Sequence, residues 1–396
     1  MDNAFAMEAK EHLRHLESVC DGPRVKAVLD FAKRRGFADG VITAMDGSKH
    51  PAAKYACQLD FHAETFAEMT ETETESFQIL SILFALEAIR KDTWSACSKI
   101  NYELSYEGIQ LSRAETVAFF SQRGTWKTME KGNQMDGNPL SVAMYCGQLF
   151  TLAGTLTGRQ MLPAAAMPAE LFKQWQACWK QEGPQPSIEA MLMTFGPACV
   201  GKEHEGKIIE LINWMRGSDF YIAPASTKYH LSYFGGLSEH TCNVIARHVA
   251  LQKPQTAAEL GEIILVDVCH DFCKTHFYRP YSHRKKEFHP EINAQNGLPK
   301  NYFAEPDGRV YCWTDGVQFE VNDQIPLPHG AKSVHMAVRL LGKALTPRMA
   351  EAIEAHMRDL DDNPCVDSIY ITNPLAMYLH LADVQASKLD EVKRNG

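Results

Sequence analysis

The chain has no apolar run long enough to cross a bilayer. Its longest, residues 141–158, is broken by Gln148, three threonines and three glycines. A spanning helix needs about 20 mostly apolar residues, so this stretch reads as a buried helix. No CxxC pair occurs. The 11 cysteines are odd in number and irregularly spaced, which fits reduced thiols in a cytoplasm and not a disulfide framework. Excess positive charge is also missing. Lys and Arg total 40 against 49 Asp and Glu, for a net charge of −9. That argues against wholesale binding of a phosphate backbone, although a local basic groove survives such an average. The first residues form a charged helical pattern without a basic flank and apolar core, so no signal peptide is expected. There is no internal repeat and no low-complexity tract. Residues 1–200 carry no chemical motif.

What is present is helical patterning. At 396 residues two domains are expected: a helical, all-α N-terminal domain over 1–200, whose role the sequence leaves open, and a second over 201–396. Apolar spacing predicts helices at 8–20, at 23–36 behind Pro23, and at 77–89. Ser112 and Glu115 form a capping-box pattern opening 114–122. A helix over 168–181 puts Trp175 and Trp179 on one face, read as core or interface packing. Residues 46–51 and 124–139 read as loops. The Gly-Pro-rich 183–187 is the best linker candidate, and Gly196-Pro197 the second.

The character changes after Lys202. Most of the 16 histidines fall between His230 and His380. Helices are expected at 205–216, from near Ser238, over 256–272, over 329–341, after Thr346-Pro347 and after Asn373-Pro374. Between them, 278–328 reads as an insertion. Residues 309–313 and 317–321 flank Thr-Asp-Gly there, a β-hairpin signal.

His240, His270, Asp271, His329, His356 and Asp383 all lie in a helix or at a helix mouth, and helices can converge inside a bundle. An adjacent His-Asp pair beside the apolar run 263–268 is expensive to bury without a partner. A metal is the obvious one. Imidazole with carboxylate suits Mn, Fe, Co, Ni or Zn better than Mg or Ca. Asp271 can bridge two ions, and two ions can acidify a water and clamp a phosphoryl displacement. A lone histidine, such as His335 or His380, reads as structural.

The order His…His-Asp…His…His…Asp is set in GGLSEHT, VDVCHDFCK and LHLADVQAS. This pattern resembles the HD-domain metal-dependent phosphohydrolase superfamily over about 219–388. Residues 223–240, LPHGAKS at 327–333 and IEAHMR at 353–358 are similar to segments of a group of bacterial and phage HD hydrolases. The GGLSEHT turn is also similar to HD-type 3′→5′ exoribonucleases and relaxase-associated HD domains. The resemblance implies a mainly α, HD-type bundle with a small β-hairpin insertion. It implies that His240, His270, Asp271 and Asp383 hold one divalent transition metal. His329 and His356 would complete a second site, with Asp271 bridging. Lys274 would lie near a substrate phosphate, giving Asp271 and Lys274 the catalytic roles. Lys332 is a candidate phosphate contact, with a solvated lysine as the plain alternative. His230 and Arg284 are candidates to reach the pocket from flanking loops, although the 284–286 basic run also fits a solvated face. Ala331, Ala355 and Arg358 depart from the family pattern around the second site.

The expected activity is hydrolysis of a phosphoester or phosphoanhydride, in a small phosphorylated substrate such as a nucleotide. The alternatives are an HD-type nuclease on single-stranded nucleic acid, a di-iron oxygenase and a nucleotide-binding sensor. The expected setting is cytoplasmic and off the membrane, and residues 1–200 are expected to support a homo-oligomer.

Overall fold

The computed structural model describes residues 3–65, 74–90, 95–121, 138–152, 183–227, 229–292, 297–358 and 365–392. The 168–181 helix expected from the sequence, with its two tryptophans, lies outside the described residues. So does most of 124–139. Among the described residues the chain is mainly helical, with fifteen α-helices and two small antiparallel sheets.

The N-terminal elements are α1 (Asn3–Val19), α2 (Pro23–Lys33), β1 (Val41–Thr43), β2 (Lys49–Pro51), α3 (Ala52–Thr65), α4 (Thr74–Ile89), α5 (Ser95–Tyr106), α6 (Arg113–Ser121) and α7 (Pro139–Phe150). Helix α4 is apolar nearly all round, so it is buried on every side, as such a helix must be. The capping box forms as written. Ser112 Oγ accepts the Glu115 N–H at 3.1 Å, and the Glu115 carboxylate accepts the Ser112 N–H at 2.7 Å. Residues 46–51 are not simply a loop, and this region is not purely helical: Lys49–Pro51 pairs antiparallel with Val41–Thr43.

The C-terminal elements are α8 (Pro184–Val200), α9 (Glu205–Gly217), α10 (Gly236–Gln252), α11 (Ala257–Cys269), β3 (Tyr278–Phe288), β4 (Tyr302–Ala304), β5 (Val310–Val321), α12 (His329–Leu341), α13 (Pro347–Ala355), α14 (Val366–Thr372) and α15 (Pro374–Gln385). Helices α8, α10, α11, α13 and α15 pack around one apolar cluster. A second cluster fills the space among α1–α7. Helix α7 serves both: Ala143 and Met144 face the second, while Val142, Tyr145, Cys146 and Leu149 face the first.

The linker reading of 183–187 is overturned. Gly183 is the N-cap of α8 and Pro184 its first residue; both residue types are at home at a helix start. Gly196 and Pro197 lie inside α8. The helix packs closely on α11. A Cβ added at Gly261 would stand 2.3 Å from the Phe195 carbonyl oxygen and 2.9 Å from the Cys199 Cβ. Gly261→Ala therefore has to push α8 off α11. The expected loss is about 3 kcal/mol, read as an earlier denaturant midpoint with unchanged slope. An unchanged midpoint would mean that α8 is not held there in solution.

The insertion also differs from expectation. Val310–Val321 is one continuous strand, and Thr314-Asp315-Gly316 sits in its middle, opposite Lys285, Arg284 and His283 of β3. A long partner strand supplies ladder bonds straight through the dipeptide that would otherwise turn. Strand β4 pairs with the other edge of β5. The result is a three-stranded antiparallel sheet, β3-β5-β4, and not a two-stranded hairpin. Among the described residues no helix is long and apolar enough to cross a membrane.

Candidate metal centre

Local sequence sets each donor in place. Gly235 takes φ +88 as the N-cap of α10, and His240 follows one turn in. Thr256 caps α11, its Oγ1 accepting the Glu259 N–H at 3.1 Å. That helix stops at Cys269, with His270 as its C-cap and Asp271 beyond it. Phe272 then anchors a short 3₁₀ turn. Its ring is fully buried against Trp214 and Phe220, at 4.9 and 5.8 Å. The Cys273 N–H donates to Ser333 Oγ on α12 at 3.1 Å, tying the turn to the helix that His329 opens. Gly330 lets α12 approach α13, since a Cβ there would stand 2.1 Å from the Glu354 carbonyl oxygen. His356 is the C-cap of α13 and lies beside His329, with ring centres 5.1 Å apart. Helix α15 brings Asp383.

The six expected donors converge. Asp271 is the hub: one carboxylate oxygen lies 2.7 Å from His329 Nε2 and 3.8 Å from His356 Nε2. The other lies 3.4 Å from His240 Nε2, 3.3 Å from His270 Nε2 and 2.6 Å from Lys274 Nζ. Asp383 approaches His240 Nε2 at 3.2 Å. His240, His270, Asp271 and His356 are buried, while the His329 side chain is 25% exposed, so the centre opens on that side.

Ring orientation decides what this cluster can do. His270 Nδ1 faces the Asp267 carbonyl, and His356 Nδ1 faces the Ile353 carbonyl. A carbonyl only accepts, so both Nδ1 atoms carry hydrogen and leave Nε2 as the ligating nitrogen. His240 Nδ1 donates to the Glu391 carboxylate at 2.9 Å. Three Nε2 atoms thus point inward, those of His240 and His270 only 3.3 Å apart. His356 Nε2 is buried with no hydrogen-bond partner. Converging lone pairs and carboxylates call for a cation. Burial pulls the His240 imidazole down, yet Glu391 and Asp383 outweigh it and lift it to about 10. Burial pushes the Asp271 carboxyl up, but Lys274 and His270 hold it well below its ordinary range. Asp383 is also held low: His240 outweighs its burial. The donor sets His240–His270–Asp271 and Asp271–Cys273–His329 each bring three ligand atoms within 4.8 Å, share Asp271, and can hold a metal ion.

The candidate substrate contacts are placed differently. Lys274 sits on Asp271, at the centre. His230 stacks on His240 at 5.2 Å, with its Nε2 3.8 Å from Glu391. Lys332 is not a solvated lysine: it is buried, paired with Asp323 and set over the Phe277 ring at 4.8 Å. Arg284 is exposed on β3 beside Asp315, at 3.5 Å, and none of its ion pairs reaches the cluster. His380 is a satisfied core histidine, as expected of a lone one. Its Nδ1 donates to the His356 carbonyl, and its Nε2 accepts from the Tyr145 hydroxyl at 2.8 Å. Helix α7 thereby braces the backbone of a ligand. Sequence reasoning missed Glu391 and Cys273. Glu391 is buried behind His240 and also accepts from Asn243 Nδ2 at 2.9 Å. Cys273 Sγ lies 3.2 Å from His329 Nε2. The thiol next to an HD pair was visible in the sequence; nothing near residue 391 marked that glutamate. No family model, curated protein or solved structure matches this chain.

Proposed function

We propose that this chain is an HD-type metal-dependent phosphohydrolase acting on a small phosphorylated substrate, a nucleotide above all. The observation that supports it most is the meeting of three Nε2 atoms and two carboxylates around Asp271, each imidazole held from behind through Nδ1. One or two divalent ions from the Mn, Fe, Co, Ni and Zn group, held by His240, His270, Asp271, His329, His356 and Asp383, would supply an acidified water and positive charge for phosphoryl oxygens. Asp271, held ionised, orients the attacking water. Burial works against the Lys274 ammonium, but Asp271 outweighs it and raises its pKa. Lys274 is therefore a fixed cation and hydrogen-bond donor to a phosphoryl oxygen, not a base. Water attacks phosphorus, the bond to the leaving oxygen breaks, and Lys274 offsets the charge that develops.

The test is a substrate panel on metal-reconstituted protein: nucleoside mono- and triphosphates, cyclic nucleotides and short single strands, read by chromatography. Lys274→Met is expected to lower kcat on the active class by roughly 100-fold or more, with metal content unchanged. No cleavage with any of the five metals would overturn the reading, and oxygen consumption would then favour the oxygenase.

One observation favours a second reading, cleavage of single-stranded nucleic acid. Phe288, Phe303, Tyr311 and Trp313 share one face of the inserted sheet by register. Lys286 lies 4.3 Å from the Tyr311 ring centre and Arg309 lies 4.7 Å from that of Phe288. Bases stack on such platforms. The cations are paired with Glu305 and Asp307, however, which weakens the field and keeps the small substrate first.

A further inference from the structure

The far end of the inserted sheet gathers a second, separate set of donors. Glu287 on β3 stands directly opposite Cys312 on β5, so the two side chains share a face. The ladder continues one bond further, the His289 N–H donating to the Val310 carbonyl at 2.8 Å. Side chains two apart on a strand point the same way, which puts His289 on the face of Glu287. One ligand atom from each of Glu287, His289 and Cys312 falls within 4.8 Å of the others. Cys312 Sγ lies 3.4 Å from His289 Nε2.

The surroundings of His289 orient it for ligation. Its Nδ1 lies 2.7 Å from Glu291 Oε1. A carboxylate there takes the Nδ1 hydrogen and turns the Nε2 lone pair towards the sulfur, the arrangement that supports metal-binding imidazoles elsewhere. Tyr302, opposite Cys312 on the other edge of β5, sets its ring edge-on against the imidazole at 4.9 Å. The site stands roughly 30 Å along β3 from Tyr278, whose end of the strand adjoins Lys274.

We propose that Glu287, His289 and Cys312 form a transition-metal site of the zinc class, distinct from the centre around Asp271. Thiolate, imidazole and carboxylate in one set select Zn or Co over Mg or Ca, and three protein ligands leave a fourth position for water. Binding displaces the Cys312 thiol proton to solvent. The ion ties β3 to β5 and fixes the segment after β3, so it is a clip on the insertion. Without metal, the same atoms make a plain Cys312 S–H to His289 Nε2 hydrogen bond.

The two states are separable in the full-length protein. The His270→Ala/Asp271→Ala double variant is made on a Cys273→Ser background, which removes both the hub of the other centre and the thiol 3.2 Å from His329 Nε2. Titrated with Co(II), that variant is expected to bind one equivalent and to show a thiolate-to-cobalt charge-transfer band that Zn(II) abolishes. Adding Cys312→Ser or His289→Ala should remove both the band and the equivalent, and Glu291→Gln should weaken binding about 10-fold. Cys273→Ser in the otherwise native chain should keep the band, which guards against misfolding of the double variant. A band that survives Cys312→Ser, or binding no tighter than that variant's, overturns the site. Loss of phosphohydrolase activity is read separately, so failure of either proposal leaves the other standing.

Discussion

Full-length protein carrying His270→Ala together with Asp271→Ala is expected to hold no metal at the Asp271 centre and to show no phosphohydrolase activity, while keeping its helical circular dichroism. The asymmetry follows from where the two residues sit. His270 is the C-cap of α11 and Asp271 follows it, so Ala at both keeps the backbone bonds of the last turn, and the apolar residues of α11 stay in the core. Chemically they are central. The Asp271 carboxylate touches Lys274 and faces four imidazoles at 2.7–3.8 Å. Its removal takes away the carboxylate that meets all four imidazoles and leaves Asp383, 3.2 Å from His240 Nε2, to act without it. Groups of one site act as a unit, so activity should drop by at least about 1,000-fold. The variant also strands the Lys274 ammonium in a buried place, a cost of up to about 3–5 kcal/mol. A lower melting temperature with an unchanged far-ultraviolet spectrum is therefore part of the expected result. Full retention of metal at this centre would remove the site assignment.

The donors were legible because each is written into local chemistry. Thr256, Thr346-Pro347 and Asn373-Pro374 mark helix starts, and the helices do begin there. Once the starts are fixed, His270, His356 and Asp383 fall at determined places along them. What the sequence hid is tertiary. The Gly-Pro-rich 183–187 has the composition of a linker, but Gly before and Pro at a first turn also open helices. The shared apolar cluster and the close contact at Gly261 show that α8 belongs against α11. Thr314-Asp315-Gly316 has turn chemistry, yet the eleven residues of β3 hold it extended. The pairing of distant strands leaves no local signature beyond alternation. The bracing of the His356 carbonyl by Tyr145 through His380 joins residues 235 positions apart, and nothing in either segment announces it.

Glu391 is the strongest case of that kind, and its substitution is expected to weaken metal binding at the Asp271 centre by roughly 10–100-fold. The residue lies past a five-residue π-helical turn, Ala386–Asp390, that follows α15. That turn swings the chain back against α10, where Arg247 binds Asp390 through two nitrogens at 2.8 and 2.6 Å. The Glu391 carboxylate then faces His240 Nδ1 at 2.9 and 3.1 Å and Asn243 at 2.9 Å. Burial alone would push its carboxyl up, but His240 outweighs that and keeps it ionised. A carboxylate behind the imidazole fixes the tautomer and makes Nε2 a better donor; a neutral amide does the first without the second. Glu391→Gln therefore separates charge from position. Metal affinity, read by competition with a chromogenic chelator, should fall, whereas kcat at saturating metal should return close to the native value. Glu391→Ala should lose more, because it also leaves His240 Nδ1 and Asn243 without their acceptor. A purely structural role would lower the melting temperature in both variants and leave the affinity of the folded protein within about 2-fold of native, far short of the effect that losing this partner has on a ligating histidine.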